Sequence, residues 1–436
     1  MSSDPRFAGD SEKPLVNRIA IMTDSTTTAS VTTTPSRHEI TAWRNALFVI
    51  FALCGMCIAS WAARIPAVAE ALSLDDGQVG ALLFGIATGS IIGLISSSHI
   101  VAALGARNVI RVFLPVAAVG LVLAAFGVAV LGQFGVGFLG LAIFGFGSGI
   151  TDVAMNVSGA ANERALGRAI MPIYHAFFSG GTIAGAGLGA LAETFHVPLE
   201  IHIAVLAVLI IVATMVFTRF LLPERASAEE TAAAGHDADT WRSRLSIWRD
   251  PRTILIGLIV LGMAFTEGSA NDWLSYAMVA GHDTDRATGA LVFGIFVTAM
   301  TVGRLGGVAL LDRFGRVPVL RGSAVLAFVG LLLVIFSPVL WVVIVGVVLW
   351  GLGAALGFPV GMSAAADDPR TAAARVSAVA TIGYVAFLVG PPVIGFLGNH
   401  FGILNALLLV LVLAALAGVC SFAAREPKSE TPVVAP

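Results

Sequence analysis

Lysine is nearly missing from this chain: Lys13 and Lys428 are the only two in 436 residues. A P-loop needs a lysine and a hydroxyl residue behind a glycine-rich turn, and neither lysine has that setting, so the chain has no ATPase motor of this type. Charge of either sign is scarce, at 12% of residues, about half the share of ordinary soluble chains. Net charge is −2 with no basic stripe, which leaves nucleic acid without an electrostatic footprint. Only three cysteines occur. Cys54, Cys57 and Cys420 all fall in apolar runs, where a small polarizable side chain serves packing rather than redox chemistry. There is no His-Glu-x-x-His pair and no Gly-x-Ser-x-Gly turn, hence no metal site, no cofactor and no enzyme of those classes is expected.

What fills the chain instead is apolar: 57% of residues, with 48 glycines and a mean hydropathy of +0.91. About 20 apolar residues at 1.5 Å each cross a ~30 Å hydrocarbon layer. Windows of that kind lie at 43–63, 77–99, 108–131, 134–157, 170–192, 198–222, 253–280, 287–311, 317–336, 339–364, 374–397 and 401–424. The fold expected is an all-α integral membrane protein with twelve transmembrane helices. A polar N-terminal tail (1–40) and a C-terminal tail (425–436) flank two six-helix bundles (41–222 and 253–424), which a hydrophilic linker (223–252) separates. Of 25 Lys and Arg, only Arg64 and Arg286 fall on the side away from the tails. Positive residues stay in the cytoplasm, so both termini are expected inside, with the chain a monomer in the cytoplasmic (inner) membrane, lipid bilayer around it.

The halves repeat each other. Ala81-Leu82-Leu83-Phe84-Gly85-Ile86 recurs as Ala290-Leu291-Val292-Phe293-Gly294-Ile295, and Gly120 matches Gly330. Parallel repeats of six helices are the plan of facilitator transporters, with the site between the halves near the midplane. The turn after the eighth span reads Asp312-Arg313-Phe314-Gly315-Arg316, whereas its first-half counterpart, Ala102 to Arg107, keeps Gly105 but lacks the acid. This resembles the Asp-Arg-x-Gly-Arg loop of the major facilitator superfamily (MFS). By that resemblance Asp312, Arg313, Gly315 and Arg316 form a cytoplasmic latch. Three further stretches resemble the MosC-like branch with its YbjJ-type relatives: Trp61 to Pro66, Asn156 to Glu163 with Gly167-Arg168 and His175 to Gly181, and Glu267 to Trp273. One member of that branch is associated with an inositol-derived compound, so the resemblance implies a polyol or sugar-like solute.

Ionizable groups at the centre of a membrane helix cost about 2.5–3.5 kcal/mol on insertion scales, so each needs a partner or a wet cavity. Glu267 is read either as a proton-coupling carboxylate or as a structural one. Asn271 follows one turn later, beside Asp272 and Trp273. Arg64 ends the first span, where it either pairs with Asp272 or Glu267 across the outer mouth or snorkels to headgroups. Ser148, Asp152 and Asn156 form a stripe on the fourth span, and His175, Ser179 and Thr182 another on the fifth. Asp152 and His175 then sit at similar depth, as a proton relay or a structural bond. Tyr384 shares a stripe with Ser377 and Thr381 and is read as lining the cavity. Trp61, Trp273, Tyr276, Trp350 and Tyr384 are candidates to stack on a sugar ring, with an aromatic belt at the helix ends as the alternative for Trp61 and Trp273. Gly390-Pro391-Pro392 should interrupt the eleventh span.

The function expected is secondary transport of a small polar solute by alternating access, as a symport driven by the transmembrane proton gradient. Two alternatives stand: a proton-driven efflux antiporter, and a non-transporting membrane receptor. Superfamily exporters often place a Gly-Pro pair in the fifth helix, and Gly180 to Gly189 contains none, which favours uptake.

Overall fold

Long apolar runs punctuated by aspartate and glycine turns set the order of elements in the computed structural model, which describes residues 35–168, 170–222, 247–368 and 371–426. The first half contains α1 (Arg37–Ala62), a short α2 (Ile65–Leu72), α3 (Asp76–Leu104), α4 (Ala106–Ala129), α5 (Phe134–Leu166), α6 (Met171–Thr194) and α7 (Leu199–Phe217). The second contains α8 (Pro251–His282), α9 (Arg286–Phe314), α10 (Arg316–Phe336), α11 (Leu340–Ala354), α12 (Gly357–Ala365), α13 (Ala372–Phe401), α14 (Ile403–Ala406) and α15 (Leu408–Cys420). Among the described residues, eleven helical stretches are long and apolar enough to cross a membrane. The twelfth crossing is α6, a glycine-rich helix of 24 residues packed against α1 and α9. The fold is therefore the expected twelve-helix plan in two six-helix halves.

The internal repeat is visible in its joints. Asp75 caps α3 by accepting the Gln78 amide, and Asp285, at the matching position, caps α9 by accepting that of Thr288. Both caps satisfy amides that a helix start leaves free. At the opposite ends Gly105 (φ +74°) and Gly315 (φ +75°) end the same two helices in a conformation that side chains resist. Gly120 packs on the backbone of Gly140, and Gly330 on that of Gly346, so α4–α5 and α10–α11 meet in the same way. Close approach of small residues is how helices associate where lipid supplies no hydrophobic drive.

Several boundaries differ from those read in the sequence. The first helix begins at Arg37, inside the stretch expected to be tail, and the fourth crossing runs on to Leu166. Residues 1–34, 223–246 and 427–436, which hold most of the expected tails and linker, lie outside the described residues. The sequence reading missed α2: Pro66 favours a helix start, and Ser73 stops it in a left-handed conformation (φ 52°). The eleventh span is not interrupted, because α13 continues through Pro391 and Pro392. The neighbouring α3 packs Gly80 against the Pro391 carbonyl there, and such packing lets membrane helices tolerate proline. The tenth span does break, between α11 and α12. Pro359 cannot donate to the carbonyl four residues back, and that carbonyl belongs to Ala355, in the break.

Away from the cavity, a buried polar chain ties three helices together. Tyr174 donates to Asn162 Oδ1 (2.6 Å), Asn162 donates to the Ile40 carbonyl (3.1 Å), and Trp43 Nε1 donates to Ser158 Oγ (3.0 Å). Tyr174→Phe would leave the Asn162 oxygen buried without its donor, which typically costs about 1–3 kcal/mol. We expect a thermal unfolding midpoint lower by several degrees in detergent, with solute binding retained; an unchanged midpoint would show that this chain contributes nothing to stability.

Candidate functional site

Among the described residues, the helix ends away from the chain termini, here called distal, carry two arginines, and both hold one carboxylate. Arg64 Nε lies 2.8 Å from Glu193 Oε1, with both side chains almost fully buried (3% and 2% exposed). Arg286 Nε lies 3.1 Å from Glu193 Oε2 and its Nη1 lies 3.0 Å from Glu70. Arg64 also donates to the Val197 carbonyl (2.9 Å). Arg64 and Glu193 belong to the first half and Arg286 to the second, so Glu193 joins the halves. The pairing expected for Arg64 with Asp272 or Glu267 is not formed, and its burial also rules out snorkelling to headgroups. Glu193 escaped the sequence reading. The signal was there: an acid at the end of α6, on the side where only two cations exist to meet it.

Two more hydrogen bonds close the same end. Ser275 Oγ donates to the Ala62 carbonyl (2.7 Å) and Tyr276 donates to Asp76 Oδ1 (2.6 Å), in each case from α8 to the first half. Beside them α3 and α13 cross with backbone against backbone: a Cβ on Gly395 would lie 2.5 Å from the Asp76 carbonyl oxygen. Trp61 and Trp273 are 2% and 0% exposed. They form no belt at the lipid surface but sit inside this closure.

Toward the middle of the spans the halves part around polar side chains. Glu267 of α8 pairs with Arg304 of α9, Oε1 to Nη2 at 2.7 Å. Arg304 lies well inside α9, ten residues before Phe314. Its Nε reaches the Ala355 carbonyl (3.4 Å), the group that Pro359 leaves without an amide. The break in the tenth span thus provides an acceptor that helps hold Arg304. Across the cleft, His175 of α6 lies within electrostatic reach of Arg304. Phe51 meets its ring edge-on.

Asp152 of α5 is exposed, although it lies deep in its span. Cys54 of α1 and Tyr384 of α13 are within electrostatic reach of it, which places it in the space between the halves. Asn156 donates to the Asp152 carbonyl (2.8 Å) and more loosely to its carboxylate (3.4 Å). No hydrogen bond joins Asp152 to His175, so the expected relay is not assembled in this conformation. Tyr384 is 41% exposed in mid-span, as expected of a cavity residue. Tyr174 and Tyr276, by contrast, are buried and bonded. Asn271 and Asp272 are half-buried above Glu267.

At the proximal end three ion pairs among the described residues lie within the second half. Asp367 receives Arg316 (2.7 Å) and Arg252 (2.8 Å), and Asp250 receives Arg375 (3.0 Å). Of the expected latch, Arg316 is engaged with Asp367 at the end of α12 rather than with Asp312. Arg313 stacks on its neighbour Phe314 (5.3 Å) and Asp312 is exposed. Gly315 makes the turn, as expected. Within the motif from Asn156 to Glu163, Asn162 bonds Tyr174, and Glu163 accepts the Ile170 and Met171 amides that open α6 (2.7 and 2.8 Å). Those two residues serve the architecture.

Two repeated bundles around a polar space shut at one end define a polytopic solute transporter. The family model described as Major Facilitator Superfamily matches residues 269–436. An uncharacterized transporter of Sinorhizobium fredii is 31% identical, covering 88% of this chain and 98% of the relative. An uncharacterized MFS-type transporter of Yersinia pestis is 30% identical over 84% and 93%. The membrane protein MosC of Rhizobium meliloti is 26% identical over 85% and 87%. The chain belongs to the major facilitator superfamily. Solved structures share the fold: the nucleoside transporter NupG (TM-score 0.68, 16% identity, 88% of this chain and 98% of that one) and FucP in an outward conformation (0.62, 16%, 88% and 98%).

Breaking a buried ion pair by removing one partner typically costs about 3–5 kcal/mol, and here the cost falls on the distally closed state. Glu193→Gln should therefore raise the labelling rate of a cysteine placed at Asn271, by a membrane-impermeant maleimide added on the distal side, at least ~10-fold. An unchanged rate would mean that Glu193 does not hold the closure.

Proposed function

We propose that this transporter imports a small polar, hydroxyl-rich solute of the sugar, polyol or inositol type by proton-coupled symport, with alternating access around the cavity between the halves. The observation that carries the reading is the mid-membrane group of Glu267, Arg304, Asp152, His175 and Tyr384, closed distally by Glu193 between two arginines. The arginine bias favours both termini on the cytoplasmic side of the inner membrane; on this reading the distal end is the outer one and this conformation opens inward. Solute binds among Asn156, Asn271, Asp272 and Tyr384, while Trp273 packs in the outer closure and Arg64 contributes to it through Glu193. Arg313 and Arg316, with Asp312 and Gly315, work as the inner latch when the molecule reverses. The transmembrane proton gradient supplies the energy.

Glu267 is the leading coupling group. A proton arriving on it neutralizes one side of the pair with Arg304, which loosens α8 from α9 and changes what the cavity offers a solute. Asp152 and His175 complete the set of titratable groups facing the same space. Two structural neighbours bear names consistent with such a solute: NupG is a nucleoside transporter, and FucP is described as a fucose:proton symporter.

In proteoliposomes, Glu267→Gln should abolish gradient-driven accumulation and the associated lumen acidification while sparing solute exchange. Accumulation at the unmodified level in this variant would sink the proton assignment. Alkalinization of the lumen on solute addition would reverse the direction and make the protein an exporter.

A further inference from the structure

Both halves build the same joint at their proximal ends, and the second half completes it with its own residues. There α10 starts beside the 3-10 turn Ser421–Ala424 that ends the last span. Arg321 of α10 donates from Nε to Ser421 Oγ in that turn (3.1 Å), and Arg316 is held by Asp367 (2.7 Å). In the first half α4 takes the place of α10, and α7 ends in the corresponding turn, Thr218–Phe220. The spacing that matches Gly105 with Gly315 and Gly120 with Gly330 sets Arg111 against Arg321. Here the joint is left open. The residue that begins the turn, Thr218, is buried and gives its hydroxyl to the Thr214 carbonyl (2.7 Å), while Arg111 is exposed. Arg219, next in the turn, is exposed as well, and Arg107 Nη2 reaches the Arg219 carbonyl (3.5 Å). Arg107 and Arg111 stand one turn apart on the same face of α4. Three guanidinium groups therefore collect where α4 meets α7, and among the described residues none of them is in an ion pair. A guanidinium stays charged throughout the physiological pH range, so this positive charge does not depend on an assumed protonation state.

We propose that the proximal ends of α4 and α7 bind an anionic phospholipid, with its headgroup phosphodiester held by Arg111 and Arg219 and Arg107 adding to the charge. The site lies outside the space between the halves and is independent of the solute and the coupling ion. Guanidinium groups grip phosphate oxygens in pairs, and basic clusters at the ends of membrane helices recognise anionic headgroups. The neighbouring surface selects a lipid over a free phosphate. Val112 of α4, Val216 of α7 and Phe220 are exposed beside the arginines, at the ends of two membrane spans. A soluble anion would use the charges and leave these side chains uncovered, whereas a phospholipid uses both. The bound lipid does for the first half what Ser421 and Asp367 do for the second.

The test uses the purified full chain in detergent, with phosphatidylglycerol and phosphatidylcholine of identical acyl chains as probes. Binding is read from native mass spectrometry and from the shift in melting temperature. Phosphatidylglycerol should bind at least ~10-fold more tightly than phosphatidylcholine. Substituting Arg111→Gln and Arg219→Gln together should bring the two lipids to parity, with the lipid-free melting temperature unchanged. Arg321→Gln, at the matching position of the second half, is the control and should leave the preference intact. Should the double variant lose its fold, Arg219→Gln alone decides, because its side chain is exposed and it should still lower phosphatidylglycerol binding several-fold. Equal binding of the two lipids, a preference that survives loss of Arg111 and Arg219, or an equal loss in Arg321→Gln would each overturn the proposal. Glycerol 3-phosphate separates the two sources of the phosphate group: it should not displace the lipid at millimolar concentration, and full displacement would make this a soluble-anion site and overturn the lipid assignment.

Discussion

Glu193 is shared between two guanidinium groups that belong to different halves of the molecule. Everything on the distal side is arranged around that sharing. A buried ion needs close charge of the opposite sign to offset its desolvation, and Glu193 has Arg64 at 2.8 Å on its own half and Arg286 at 3.1 Å on the other. The hydrogen bonds from Ser275 and Tyr276 lie at the same level and add direction. Without the carboxylate, the buried Arg64 would face Arg286 with no anion between them.

The second organizing constraint is the scarcity of charge inside the bilayer. Each interior charge has to be justified by a contact, and Arg304 has two: the Glu267 carboxylate and the Ala355 carbonyl. The second exists because Pro359 breaks the tenth span. A proline twelve residues beyond Val347, in a run that reads as one continuous apolar window, therefore bears on an ion pair between two other helices. Helix breaks at membrane depth are tolerated where they line protein or cavity rather than lipid, and this one does.

Much of the fold was legible in the sequence because bilayer thickness leaves few options. The twelve windows, the repeat and the Gly105 and Gly315 turns all follow from length, spacing and backbone freedom. The boundaries were legible only to within a turn or so at most ends, since capping by Asp75, Asp250 and Asp285 is decided locally. The site was half legible. Glu267, Asp152, His175 and Tyr384 stood out as polar residues in apolar runs, and all of them face the space between the halves. Their partners did not stand out, because pairing depends on which helices are neighbours and how each is rotated. Glu193 looked like the close of an ordinary span. Trp61 and Trp273 looked interfacial for the same reason: distance along a helix says nothing of what lies beside it. Pro391 and Pro392 misled in the other direction, because the local rule was overridden by packing against α3.

The crossing of α3 and α13 has a mechanical consequence. Gly80 and Gly395 bring bare backbones together, so at that point no side chains interlock and none has to be withdrawn when the two helices separate. Such a joint resembles a smooth bearing rather than a toothed one. Resistance to opening then resides in the charged cluster beside it, which senses ions and solvent, and hardly at all in friction between side chains.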